Sequence, residues 1–220
     1  VDPVTKQISS ADGTVKYLFA LADGLRIESV LIPPASAFAD VEAAGEDEQR
    51  RLTLCVSTQV GCPLDCAFCA TATMGFRRNL TAAEIIDQLL AVRRLSGRAI
   101  TNVVFMGMGE PLMNYDQVLA AAERMVEGVG IVARRITIST AGWVAGIRRL
   151  ADERRAIKLA VSLHAATDEV RSRLMPVTAR HPLAELMDAV EYYWRRTKRR
   201  VTYEYIFFDG INDSPADVRH

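Results

Sequence analysis

Leu52-Thr53-Leu54-Cys55-Val56-Ser57 is a short apolar run. It is followed by the loop Gly61-Cys62-Pro63-Leu64-Asp65-Cys66-Ala67-Phe68-Cys69 and by Thr81-Ala82-Ala83-Glu84-Ile85-Ile86-Asp87-Gln88-Leu89. The first segment has the length and content of a buried strand. In the last, Thr81 and Glu84 form a capping box, and Ile85, Ile86 and Leu89 make one apolar helical face. This strand–loop–helix unit is repeated downstream. Strand candidates are Leu52–Ser57, Ile100–Met106, Arg135–Ser139, Ile157–Leu163 and Val201–Phe208. Helix candidates are Ala82–Leu95, Asp116–Glu127, Trp143–Asp152 and Leu183–Arg196, with a short one near Asp168–Leu174. Alternation on this scale predicts an α/β fold with a parallel sheet and right-handed crossovers, open or rolled into a barrel. Upstream, two β-rich runs in residues 13–32 flank Asp23-Gly24, a strong hairpin signal. Pro33-Pro34 closes that hairpin, and the Ala/Glu-rich stretch after it predicts a mobile acidic loop. The expected organisation is a hairpin extension over 1–34, the loop over 35–51, and a core over 52–220.

At 220 residues, with half of them hydrophobic and a quarter charged, the chain has ordinary globular composition and enough length for one sizeable core. No apolar run approaches the ~20 residues needed to span a bilayer. The start, Val1-Asp2-Pro3, lacks the basic and apolar regions of a signal peptide, so a cytosolic setting that keeps thiols reduced is expected. Net charge is zero but unevenly placed: residues 1–69 hold 10 acidic and 5 basic side chains, against 17 and 22 in residues 70–220. Many of the basic residues are Arg pairs, among them Arg77-Arg78, Arg93-Arg94, Arg134-Arg135 and Arg199-Arg200. Such pairs suit forked contacts to phosphate, and they equally suit solvated helix faces.

Cys62, Cys66 and Cys69 follow C-x3-C-x2-C, and the chain has one further cysteine, Cys55. Three clustered thiolates without a fourth partner are what an iron–sulfur cubane with one open iron requires. The alternative is a structural zinc tetrahedron completed by Cys55. Three bunched cysteines make a poor disulfide framework.

In parallel β/α folds the reactive residues gather at the carboxyl ends of the strands. The cysteine loop follows the first core strand. Gly107-Met108-Gly109-Glu110-Pro111 follows the second, Ser139-Thr140 ends the third, and Ser162-Leu163-His164 ends the fourth. Glycines there let a ligand approach the backbone, and Glu110 can take an ammonium group. Ser139, Ser162 and His164 can hydrogen-bond a ligand. Taken singly, each also reads as a cap, a turn or a structural histidine. Their agreement on one rim points to a site.

These residues resemble the radical S-adenosylmethionine (SAM) superfamily: the cysteine loop with an aromatic before its third cysteine, the Gly-Glu-Pro loop and the β/α alternation. Longer segments are similar to the RNA adenine methyltransferases known as RlmN: Leu54–Cys62, Gly75–Leu80, Asn102–Leu112, Ser162–Ala165 and Gly210–Asp213. The similarity runs from about Asp12 to the last residue, interrupted by the acidic loop. It implies a partial (β/α) barrel of the radical SAM type, ending after about its fifth strand and preceded by the hairpin. It also implies methylation of carbon 2 of an adenine in 23S rRNA and tRNA, with an electron donor such as flavodoxin. The oligomeric state is not implied.

By the same resemblance, Cys62, Cys66 and Cys69 hold a [4Fe–4S] cluster. SAM chelates its open iron, and Gly109, Glu110, Ser139, Ser162, Leu163 and His164 line the SAM site. A 5′-deoxyadenosyl radical abstracts hydrogen from an S-methyl cysteine, and the resulting carbon radical adds to the base. Glu28 matches the family's proton acceptor, and Cys55 matches the cysteine that resolves the covalent adduct through a disulfide. The sister enzyme Cfr, which methylates carbon 8 with the same cysteines, is the alternative. A non-catalytic four-cysteine zinc module that binds RNA is the rival of another class.

The family's methyl-carrying cysteine has no counterpart, because no cysteine follows Cys69. Its SAM-binding asparagine near the carboxyl terminus and its helical amino-terminal domain are also missing. The chain is therefore expected to be a piece of a longer protein, able to hold a cluster and cleave SAM slowly but not to methylate RNA by itself. Arg77 and Arg78, just past the cysteine loop, are the first candidates for guiding RNA.

Overall fold

The computed structural model describes residues 1–2, 6–34 and 51–219. The expected acidic loop therefore lies outside the described residues, except for Arg51. Three strands open the chain: β1 (Lys6–Ser9), β2 (Val15–Ala20) and β3 (Arg26–Ile32). The core follows as β4 (Thr53–Cys55), the two-residue strands β5 (Gln59–Val60) and β6 (Arg78–Asn79), and α1 (Ala82–Ser96). Then come β7 (Asn102–Phe105), α2 (Tyr115–Glu127), β8 (Ile136–Thr140), α3 (Val144–Glu153) and β9 (Lys158–Ser162). The last elements are α4 (Asp168–Leu174), α5 (Leu183–Thr197), β10 (Val201–Glu204) and α6 (Pro215–Arg219).

One eight-stranded sheet runs β1-β2-β3-β4-β7-β8-β9-β10. The first three pairings are antiparallel, and the four from β4 to β10 are parallel. The fold is thus mixed α/β with a mostly parallel sheet, and the hairpin is continuous with it. The β2–β3 turn falls at Asp23-Gly24: Leu21 N–H donates to Leu25 O at 2.8 Å, and Gly24 takes φ +82°. The edge strand β1 is one that the sequence pattern does not announce.

Register sorts the side chains into two faces. Ile27 and Leu31 of β3, Leu54, Val103, Phe105, Ile136, Ile138, Leu159 and Val161 share the face buried against the helices. There they meet Ile85, Leu89 and Val92 of α1, Val118 and Met125 of α2, Ile147 and Leu150 of α3, and Leu186 and Tyr193 of α5. The opposite face carries Glu28, Val30, Cys55, Val104, Thr137, Ser139, Lys158, Ala160, Ser162, Thr202 and Glu204. This face mixes polar side chains with Val30, Val104 and Ala160 and lies away from the helix layer.

The capping box of α1 is present. Glu84 N–H donates to Thr81 Oγ1, the Glu84 carboxylate accepts from Thr81 N–H, and Gly97 ends the helix in the left-handed region. Strand β10 stops at Glu204 rather than running to Phe208. Beyond Glu204, Ile206 N–H donates to His164 Nδ1 at 3.1 Å and Phe208 N–H to Asn212 Oδ1 at 2.6 Å. Side-chain acceptors replace the ladder there, which residue propensity does not reveal. Among the described residues no helix is long and apolar enough to cross a membrane.

Between β4 and the helix layer sits a buried amide. Gln88 Oε1 accepts from Ser29 Oγ and from Ser57 N, both at 2.8 Å, and Gln88 Nε2 donates to Ser57 O at 2.9 Å. This side chain locks the end of β4 to β3 and α1. Gln88→Leu keeps the volume but orphans buried groups on both serines, at about 1–3 kcal/mol each. A loss of about 2–4 kcal/mol in urea unfolding, with unchanged m-value, is expected. A loss below about 1 kcal/mol would show the network to be dispensable.

Candidate active site at the strand ends

A cleft of about 330 Å³ opens at the carboxyl ends of the parallel strands. Cys62, Cys66 and Cys69 line it together with Gly109, Glu110, Ser139, Ser162 and His164. Eight of the eleven residues singled out from the sequence therefore share one cavity. Leu163 does not: its side chain lines a separate apolar pocket with Met187 and Phe207. Glu28 and Cys55 lie on the same sheet face as Ser139 and Ser162 but outside the cleft lining. Cys55 stands directly opposite Val30, so Glu28 is its diagonal neighbour, about 7–8 Å away in a regular antiparallel pair. Glu28 Oε1 is ion-paired with Lys16 Nζ at 2.7 Å.

Strands β5 and β6 pair Gln59 with Asn79 and Val60 with Arg78, closing the neck of the cysteine loop. Gly61 sits in that neck with φ +74°, where an added Cβ would fall 1.6 Å from Gly75 O. Only glycine fits there. The far side of the loop rests on α4: Ala67 N–H donates to Leu174 O at 2.9 Å, and Leu64 and Cys66 pack on Leu174, Met175 and Val177. Phe68 stands edge-on to His164 at 5.0 Å and tilted against Phe208 at 5.3 Å.

All four cysteines are free. Burial pushes the Cys62 thiol up to about 11. The Cys66 thiol is pushed to about 12, first by burial and then by Cys62, Cys69 and Glu110. Thiolates here need a cation to be stable. Cys55, at about 11, is shifted by burial alone, opposed by a backbone hydrogen bond from Met106. Cys55 is not among the residues that line the cleft with the other three, which sets it apart from them. Among the described residues no three His, Cys, Asp or Glu side chains converge tightly enough for a single metal ion. Three free thiols that line one cavity without converging on one point fit a cubane, which takes one thiolate per iron.

Glu110 is buried, and both its carboxylate oxygens are engaged. Oε1 accepts from Leu112 N at 3.0 Å and Oε2 from Ala141 N at 2.8 Å. Burial raises it from the ordinary 4.5 to about 7, although those hydrogen bonds pull the other way. It caps the Pro111–Asn114 turn and also lines the cleft. Its own N–H donates to Gln59 Oε1 at 2.8 Å. Gly109, at φ +100°, leaves room for Gln59, whose Cβ would lie 2.5 Å from an added methyl.

His164 takes φ +54° and is buried. Its Nδ1 accepts from Ile206 N–H, so the neutral ring carries its proton on Nε2. Burial, and then the charge of Arg171, lowers it to about 4. Asn212 fixes its backbone, donating from Nδ2 to His164 O at 2.7 Å and to Ile206 O at 2.8 Å. Sequence reading assigned no role to Asn212, Gln59 or Arg171. For Asn212 the signal was an amide inside a Gly-Ile-Asn-Asp turn. For Arg171 it was a charge one turn from Leu174 on the buried side of a short helix. Arg78 is committed to Asp23 at 2.7 Å and to Glu84 at 2.8 Å, so it is not a free phosphate contact. Arg77 has no such partner among the described residues and is exposed.

Residues 56–219 match the family model described as "Radical SAM superfamily". A probable dual-specificity RNA methyltransferase RlmN from Heliobacterium modesticaldum is 50% identical over 215 residues, covering 94% of this chain and 54% of that protein. The dual-specificity RNA methyltransferase RlmN of Syntrophobacter fumaroxidans is 50% identical over 220 residues, covering 98% and 60%. The chain thus spans little more than half the length of these curated relatives. The crystal structure of a radical SAM methyltransferase from Sphaerobacter thermophilus superposes with a TM-score of 0.87 at 45% identity, over 100% of this chain and 62% of that one.

The raised carboxyl of Glu110 has a signed consequence. The native state holds its proton more tightly than the unfolded chain does, so this contribution to stability is full below pH 4.5 and lost as pH rises through about 7. Relative to Glu110→Gln, the cluster-free wild type should lose up to ~3 kcal/mol across that window. Urea unfolding at several pH values reads the difference, and parallel stability curves would contradict the raised carboxyl.

Proposed function

Because this chain belongs to the radical SAM superfamily, we propose that its cleft holds a [4Fe–4S] cluster on Cys62, Cys66 and Cys69 with SAM beside it. We further propose that the whole protein methylates carbon 2 of an adenine in 23S rRNA and tRNA. The observation that carries this is the convergence, in one cavity, of three free thiols and a buried carboxylate near neutrality. Held by Cys62, Cys66 and Cys69, the cluster would supply low-potential electron transfer to SAM, with the electron drawn from an external donor such as flavodoxin. Carbon 2 rather than carbon 8 is what the resemblance to the RlmN family implies, and the relatives carry the name dual-specificity RNA methyltransferase RlmN. The reduced thiols suit a cytoplasmic setting.

The residues divide the work by their chemistry. Glu110 takes the ammonium group of SAM, exchanging a desolvated carboxylate for an ion pair. His164 donates from Nε2, with Nδ1 already satisfied by Ile206. Ser139 and Ser162 offer hydroxyls from adjacent strand ends, and Gly109 lets the ligand reach the backbone. Leu163 contributes through its backbone, because its side chain faces the other pocket. Glu28 accepts the carbon-2 proton, with Lys16 holding the carboxylate in place. Cys55 resolves the covalent RNA adduct, and burial keeps its thiol protonated and reduced until that adduct arrives. The methyl-carrying cysteine is not among these 220 residues.

The 220-residue chain, reconstituted without oxygen, should bind about four irons and four sulfides. It should then release 5′-deoxyadenosine from SAM when dithionite is added. Cys62→Ser, Cys66→Ser and Cys69→Ser should each abolish both, and Cys55→Ser should leave iron content unchanged. One zinc without sulfide, lost in Cys55→Ser, would replace the radical reading with a structural metal site.

A further inference from the structure

Arg171 is fully buried and is the largest of the fully buried side chains among the described residues. Its guanidinium spans separate parts of the rim. Nε donates to Leu163 O at 3.0 Å, Nη1 to Thr178 Oγ1 at 2.9 Å, and Nη2 to Ala141 O at 2.7 Å and Ser162 O at 3.0 Å. It thus bridges the loops that follow β8 and β9, which carry Ser139 and Ser162, to the Pro176–Ala179 turn. It does so from α4, the helix on which the cysteine loop rests. Every one of these acceptors is neutral. Among the described residues no carboxylate lies within ion-pair distance of the guanidinium. Cys66 packs on Leu174, one turn further along the same helix, and once ionised it would act on the guanidinium ahead of Asp168.

A buried cation without a counter-ion is costly, and structures keep one where an anion belongs. Neutral hydrogen bonds alone do not call for arginine, since a buried amide holds the end of β4 in this same molecule. What arginine adds is a fixed charge beside the thiolates, held there by a rigid fork.

We propose that Arg171 is a positioning residue that also acts electrostatically. It ties the cysteine-loop support to the strand-end serines and stabilises the reduced form of a cluster bound at Cys62, Cys66 and Cys69. This rests on the cluster reading above. Reduction adds one electron, supplied from outside, to an assembly already made anionic by three thiolates. A cation fixed nearby offsets the added charge and raises the potential. Asp168, exposed at the start of α4, is not bonded to the fork; its Oδ1 accepts from Leu183 N–H at 2.7 Å.

The test is a redox titration of the reconstituted 220-residue chain, with dithionite as reductant and the reduced cluster followed by electron paramagnetic resonance. Arg171→Gln should cut the ratio of reduced to oxidised cluster at least tenfold at a fixed potential, equivalent to about 59 mV for one electron. Arg171→Lys, which keeps the charge and loses the fork, should retain most of the wild-type potential. Thr178→Asp places a carboxylate at Nη1 while leaving Arg171 intact, so it should lower the potential in the same direction. It decides the matter if the Arg171 variants do not fold. Variants that fold and load iron but titrate with wild-type potential overturn the proposal, leaving Arg171 a structural tie alone. A wild-type chain that takes up no iron and sulfide refutes the cluster reading itself, a failure separable by its occurring before any titration.

Discussion

Parallel hydrogen bonding is the constraint on which everything else in this molecule depends. The ladders Cys55–Val104, Val104–Thr137, Ser139–Ala160 and Ser162–Glu204 run in one direction. A parallel pair cannot be closed by a tight turn, so each strand is followed by a crossover, and the crossover helices cover one face. Two consequences follow together. All five strands finish at the same rim, and the uncovered face is left for polar residues. The cleft, its serines, Glu110 and His164 are products of that geometry rather than of any local motif.

Burial then sets the chemistry of what the rim presents. The same low-dielectric surroundings hold the Cys62 and Cys66 thiols in the neutral form, raise Glu110 toward neutrality and keep His164 uncharged. Each of these shifts disfavours charge, so the site is tuned to gain stability when charges of opposite sign arrive together. Arg171 is the exception, a charged side chain among neutral acceptors, on the helix against which the cysteine loop packs. Rigid supports surround this arrangement: Gln59 under Glu110, Asn212 under His164, and α4 under the cysteine loop. Residues that touch no ligand therefore decide where the ligand-facing groups stand.

Several features were legible from one dimension because their signal is local. The capping box at Thr81 and Glu84, the Asp23-Gly24 turn, the apolar strand runs and the C-x3-C-x2-C spacing each depend on residues within a few positions of one another. Others were not. The strands β5 and β6 are too short to alternate, and beyond β10 the ladder gives way to side-chain acceptors, one of them on His164, 42 residues from its donor. Leu163 reads as part of Ser162-Leu163-His164, but it lies just past the end of β9 and lines the apolar pocket rather than the cleft. Arg78 looked available until Asp23, 55 residues away, and Glu84 were seen to occupy it.

The sequence by itself determined the alternation of elements and the placing of the cysteine loop, Glu110, Ser139 and Ser162 at or just beyond strand ends, and it narrowed the metal group that three such cysteines invite to a cubane or a zinc site. These follow from periodicity, from parallel topology and from ligand chemistry, none of which needs coordinates. Only the tertiary structure decided that Cys55 stands apart from the other thiols beside Glu28, and that Glu110 is buried enough to titrate near neutrality. It alone placed a guanidinium with only neutral partners on the helix against which the cysteine loop packs. The physical reason is that desolvation and charge–charge interaction depend on distances through space, and strand register and helix packing bring together groups that the chain keeps dozens of residues apart.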